Sequence, residues 1–460
     1  MNQSLQFGCK RLADYKSERV RMSKKIGKSL VLLGAVAGLL SALFLGPQIS
    51  ASRAQATGAA RVRLRNSAVV ATTAAVLKET SDLRKLSILR EVKSGAQSRA
   101  DIERMILKNL DEETTPAEMH ATEELLRIFG LAPADFRYRP SLVKLLTEQV
   151  AGYYDPKVQQ FYLADWIDLD GQKPVMAHEL THALQDQHFD LKRFEKWPKG
   201  DSDAELAAHA LIEGDATLAM MLYMAKNPMV ALAFVRSLGG SSNNSEQFKS
   251  APRAIRESLL FPYEQGAVWT TQVHRRGGWD MVSEAFKKLP QSTEQIIHPD
   301  KYFNYEAPVK VTIPELSRTL GLGWQRVDYD VNGEWGLYLI LDQFLNDTAY
   351  SKTAAAGWAG DRYALYEEPK SGALFVAQMT VWDTPNDARE FFDAYAKRTL
   401  LRYPSAGKVE QLAATSDGTL IKWHTSEGDV FMELRGSRVA IAEGVPSSAK
   451  VKDLLAALWQ

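Results

Sequence analysis

The 460-residue chain contains one cysteine, Cys9. A disulfide within the chain is therefore excluded. Cys9 also lies in a segment that an export signal would remove, so the body has no thiol nucleophile and no thiolate metal site. Any metal there must be held by histidine and carboxylate. Excess charge is lacking too, with 56 Lys/Arg against 56 Asp/Glu. Residues 1–56 carry nine basic against two acidic side chains, which leaves 47 against 54 for the rest. The body is mildly acidic, and a nucleic-acid partner, which needs a basic face, is not expected. Histidine is scarce, at eight. The sequence shows no internal repeat and no long low-complexity tract.

One long apolar run is present, "SLVLLGAVAGLLSALFLG" at residues 29–46, preceded by Lys24, Lys25 and Lys28. Pro47 and a small-residue stretch with "AQA" at 54–56 follow. A basic segment, an apolar segment and an A-x-A site describe a secretory signal. Eighteen apolar residues also reach the lower edge of a membrane span, so an N-terminal anchor is the alternative. Either way the body is expected outside the cytoplasm, periplasmic or extracellular. Membrane contact is expected only through that anchor.

Pattern and punctuation divide the remainder. Residues 57–135 read as helical and mostly polar, and their position makes them a candidate propeptide. Residues 136–319 contain, at 148–165, "EQVAGYYDPKVQQFYLAD", in which Asp155-Pro156 turns between two β-prone runs. A helix starting near Pro174 and a second one over "DSDAELAAHALIEGDATLAMMLYMAKN" follow. From about residue 320, strands such as "ALFVAQMTVW" alternate with helices such as "PNDAREFFDAYAKRTLLRY". The expectation is an α+β protein: a mainly helical domain with a small β-sheet over 136–319, and a separate α+β domain over 320–460. The latter carries no chemical motif. Its Trp358, Trp382 and Trp423 read as core.

The chemistry sits in "HELTHALQDQH", residues 178–188. On a helix, His178 and His182 lie about 40° apart around the axis, one turn apart along it. That spacing lets two imidazoles hold one Zn²⁺ at about 2.0–2.1 Å each. Glu179 is turned away from direct ligation and placed to act on a zinc-activated water as general base and acid.

Two residues compete as third ligand. His188 completes H-E-x-x-H-x-x-Q-x-x-H, where the metzincin pattern has glycine at the place of Gln185. Glutamine favours continued helix. If the helix continues, His188 lies about 120° around and about 9 Å beyond His182, out of reach of the same ion. The competitor is Glu213 in "LIEGDAT", 31 residues after His182. It lies among Leu211, Ile212, Ala216 and Leu218, where an unpaired carboxylate is costly and a metal would satisfy it. Glu205 and His209 share its helix face. Asp215 is a candidate to orient a ligand histidine.

"HELTHALQDQHFDL" together with "LIEGDATLAM" resembles bacterial exported zincins of the peptidase-MA-like, gluzincin type. "EQVAGYYDPKVQQFYL", "LLFPYEQGAVWTTQVHRRGGWDMV" and "STEQIIHPDKY" fit the same order, so the resemblance covers roughly residues 120–310. It implies a zincin-type metallopeptidase with His178, His182 and Glu213 as ligands, and a peptide or protein substrate. Thermolysin-type gluzincins carry N-E-x-x-x-D at the third ligand, and Thr217 stands here at the place of that Asp. Zincins often assign oxyanion stabilisation to His or Tyr. His298, Tyr302 and Tyr263 are the candidates, and packing at a helix end is an equal reading for each. The hairpin around Asp155-Pro156 is a candidate edge for strand addition by substrate. Two other functions fit the same sequence: an envelope binding or assembly factor without proteolysis, and a cell-wall peptide amidase.

Overall fold

A computed structural model describes residues 58–460 except 167–168, 196, 198–199, 240–245, 407–408 and 416–417. The expected signal or anchor, residues 29–46, and Cys9 lie outside the described residues. Among the described residues no single helix is long and apolar enough to cross a membrane.

The chain is α+β. Helix α1 (Gly58–Arg84) leads to strand β1 (Lys93–Gln97), then α2 (Arg99–Glu113), α3 (Pro116–Ile128) and α4 (Tyr138–Gln149). Ser98 and Thr115 start α2 and α3 with reciprocal capping boxes to Asp101 and Glu118. The expected hairpin is β2 (Gly152–Asp155) and β3 (Gln160–Ala164). Asp155 Oδ1 closes its turn by accepting from the Lys157 and Val158 amides. β1 pairs in parallel with β3, so β2 is an edge of this three-stranded sheet.

The motif helix is α5 (Lys173–Phe189), with Pro174 in its first turn and Asp190 in the left-handed region at its end. Next come α6 (Ser202–Lys226), α7 (Pro228–Gly239) and the long α8 (Arg253–Ala285), which is interrupted at Gly277 and Gly278. α6 and α8 cross backbone to backbone. A Cβ on Gly214 would lie 2.2 Å from the Gly266 carbonyl oxygen, and one on Gly266 would lie 2.2 Å from that of Ala210. Only glycine fits either position. Two short helices follow, α9 (Thr293–Ile297) and α10 (Pro299–Asn304).

A seven-stranded antiparallel sheet forms the rest. Its strands are β4 (Gln325–Asp330), β5 (Trp358–Glu368), β6 (Ala373–Trp382), β7 (Glu410–Thr415), β8 (Gly418–Thr425), β9 (Gly428–Arg435) and β10 (Arg438–Val445), in the order β4-β5-β6-β10-β9-β8-β7. Helices over Gly333–Leu345, Thr348–Ala355, Pro385–Arg402 and Val451–Leu458 accompany it. Trp358, Trp382 and Trp423 are fully buried, in keeping with core positions.

One apolar cluster runs from the helical body into this sheet, joining Leu126, Phe129, Leu211 and Trp269 to Leu365, Val376 and Trp423. Arg398 and Arg402 reinforce that contact by donating to the Phe129 and Ile128 carbonyls. A second cluster, with Leu320, Phe375, Ala442 and Leu454, packs the C-terminal helix against the sheet. A third joins α1 (Val69, Val76) to β3 (Phe161, Leu163) and to the back of the motif helix (Met176, Leu180, Leu184).

Candidate metal centre

Helices α5 and α6 bring three ligand atoms together. His178 Nε2 is 3.1 Å from His182 Nε2 and 3.0 Å from Glu213 Oε2. His182 Nε2 is 3.4 Å from the same oxygen. Ligands held tetrahedrally at about 2.0–2.1 Å from one ion stand about 3.3 Å apart, so the three spacings fit a single zinc-sized centre. Two imidazoles and a carboxylate are a donor set that zinc accepts. These three residues form a group that could hold a metal ion. His178, Glu179, His182 and Glu213 are all between 0 and 3% exposed.

The charges favour a cation at the point of convergence. Burial pushes His182 down, but the facing Glu213 carboxylate overrides this and raises it to about 9. Burial likewise pushes Glu213 up, but His182 holds it down at about 2. Burial lowers His178. Glu179 accepts from the Tyr154 backbone N–H of the edge strand β2 at 2.9 Å. Burial holds Glu179 well above the usual carboxylate range, against the opposing pull of His182.

Neighbouring groups fix these side chains. His182 Nδ1 meets Gln185 Oε1 at 2.8 Å, and the Gln185 amide nitrogen donates to the Ile212 carbonyl and to Asp215 Oδ2. Asp215 is in turn paired with Arg84. The Tyr263 ring stacks on His178 with centroids 5.9 Å apart and planes 24° apart.

The competing sequence candidates fall elsewhere. α5 continues past Gln185, and His188 Nε2 bonds the Ser87 carbonyl at 2.8 Å on the exposed side. His209 is buried on α6, and burial pushes it down to about 4, so it is neutral at neutral pH. His298 pairs with Glu334 at 2.9 Å, and the Tyr302 hydroxyl donates to the Lys288 carbonyl at 2.8 Å. The hydrogen bonds of these two residues are thus made outside the metal cluster, whereas Tyr263 lies against it. Sequence reasoning saw Gln185 only as a helix former and missed its bond to His182. It also missed Arg84, which lies 131 positions from Asp215 and has no local signal.

A family described as a domain of unknown function (DUF8575) matches residues 318–455. That segment starts shortly before β4, ends in the C-terminal helix and contains none of His178, Glu179, His182 and Glu213. No curated protein and no solved structure matches the chain.

Proposed function

We propose that this chain is an exported zinc metallopeptidase of the zincin fold, gluzincin type. In this reading His178, His182 and Glu213 hold Zn²⁺, and Glu179 is general base and acid. The observation that carries it is the convergence of three buried donors at zinc spacing, from residues 31 positions apart, beside a buried glutamate. A bound zinc ion would supply Lewis-acid activation of water and of a peptide carbonyl.

The chain's own groups do the rest. Glu179, buried next to His178 on α5, would take a proton from the attacking water and deliver it to the leaving amine. The Tyr154 amide holds that carboxylate in position. β2 lies at its sheet's edge, but Tyr153 and Tyr154 are buried there and the Tyr154 amide is taken by Glu179, so strand addition is not part of this proposal. Of the three oxyanion candidates, Tyr263 is the one stacked on a ligand, and it takes that role in this proposal.

The near-complete burial of the four central residues favours a second reading, a zincin-fold envelope binding or assembly factor without proteolysis. Assays on a peptide library and on cell-wall peptides separate the readings, the latter also detecting amidase activity. The peptidase reading expects zinc in the purified protein. It also expects Glu179→Gln to keep the zinc and lose about 10²–10⁴-fold in cleavage rate. Unchanged cleavage by Glu179→Gln contradicts it. Zinc without cleavage, with a partner recovered from the envelope, would favour the second reading.

A further inference from the structure

We infer that Arg84 of α1 positions the metal ligand His182 through Asp215 and Gln185, which makes the N-terminal helix part of the metal centre. The inference rests on the zinc reading above. Arg84, Asp215 and Gln185 are each fully buried, and they form one unbroken chain of bonds to a ligand that is itself buried. The Arg84 guanidinium bonds Asp215 Oδ1, Asp215 Oδ2 accepts from Gln185 Nε2 at 2.9 Å, and Gln185 Oε1 meets His182 Nδ1 at 2.8 Å. Two further contacts hold the guanidinium in place: its Nη1 donates to Ser283 Oγ at 3.2 Å, and it lies over the Trp279 ring at 4.4 Å.

The order of donors and acceptors gives the chain its purpose. An amide has one donor end and one acceptor end. Gln185 spends its donor end on Asp215 and on the Ile212 carbonyl, so its oxygen must face His182. Nδ1 of the neutral ring is therefore the protonated nitrogen, and Nε2 turns a lone pair toward His178 and Glu213. Asp215 supports this order with both oxygens, Oδ2 accepting from Gln185 Nε2 and Oδ1 from the Arg84 guanidinium. Arg84 fixes where that acceptor stands, because its guanidinium holds Oδ1 and leaves Oδ2 aimed at Gln185. Without Arg84, Asp215 loses the partner that holds its carboxylate against Gln185. The Gln185 amide then keeps only the Ile212 carbonyl to fix its donor end, and its hold on His182 Nδ1 is loosened. A purely stabilising role explains the arrangement poorly, because a buried ion pair contributes little net stability compared with apolar packing.

The test is zinc affinity by chelator competition on the full chain, read beside the visible spectrum of the Co²⁺-substituted protein. Arg84→Met and Gln185→Met are expected to bind zinc about 10–100-fold more weakly and to alter the spectrum. Arg84→Lys, which keeps the charge beside Asp215, is expected to fall between these variants and the wild type. The control is Arg398→Met, which breaks an equally buried pair with Glu443 in the C-terminal sheet. It is expected to lose thermal stability and keep wild-type zinc affinity. Gln185→Met carries the test if Arg84→Met does not fold. Wild-type affinity in Arg84→Met or in Gln185→Met, or an equal loss in Arg398→Met, overturns the positioning role alone. Absence of zinc from the wild type overturns the metallopeptidase reading, and the positioning role falls with it.

Discussion

On α5, Gln185 stands one turn beyond His182, and its carboxamide offers both a donor and an acceptor. As a helix former it carries the chain on to Phe189, which takes His188 to the Ser87 carbonyl. As a hydrogen-bonding group it joins His182 to Asp215. The first role is legible in the sequence, because propensity is local. The second is not, because it depends on α6 lying alongside. The same limit applies to Tyr263. It is one of three oxyanion candidates by sequence, and only packing brings its ring to 5.9 Å from His178. Tyr263→Phe keeps the stacked ring and removes the hydroxyl. Zinc content should be unchanged, and the cleavage rate should fall by about 10²–10³-fold, the usual cost of losing one oxyanion donor. A rate within a factor of two of wild type would move the oxyanion role elsewhere.

At the scale of elements, Glu213 is delivered by a helix crossing with no room for a side chain. Gly214, next to Glu213, meets Gly266 of α8 so closely that a Cβ would strike the Gly266 carbonyl oxygen at 2.2 Å. Gly214→Ala must push the two helices apart. The expected outcome is a loss of about 1–3 kcal/mol or more in a denaturant melt, together with weaker zinc binding. An unchanged melting midpoint would mean that the crossing is looser than described. The motif helix, the hairpin, α6 and most strands of the large sheet follow from helix- and strand-forming runs bounded by Pro, Asp and Gly punctuation. β1 does not. Its sequence "KSGAQ" has no alternation, and it is a strand because β3 pairs with it. The helix Gly333–Leu345 is similarly hidden, since "GEWGLYLILDQFL" is buried on nearly all sides and shows no single apolar face.

At the scale of the whole molecule, the C-terminal sheet is tied to the helix that carries Glu213. Asp330 of β4 accepts from the Ser202 amide at the start of α6, at 2.9 Å, and Ser202 Oγ donates to the Val331 carbonyl. Burial and the neighbouring Asp328 carboxylate push Asp330 up to about 7 in the fold, from 3.8. The folded chain therefore binds an extra proton between those values, and stability falls as pH rises from about 4 to about 7. Asp203 and Asp361, also raised by burial, add to the same slope. Asp330→Asn keeps an acceptor for the Ser202 amide and removes the charge. Its melting temperature should fall less steeply across that pH range than that of the wild type. An equal slope in both proteins would place the titration elsewhere. Composition and strand pattern suggest a boundary near residue 320. They do not reveal that one apolar core crosses it, because that depends on which sheet face the helices cover.

The central claim is that α5 supplies two ligands and α6 the third. It is tested most directly by metal analysis of the purified full chain as wild type, His188→Ala and Glu213→Ala. The account predicts one zinc per chain in the wild type and in His188→Ala, and little or none in Glu213→Ala. Zinc lost from His188→Ala and kept by Glu213→Ala would contradict it.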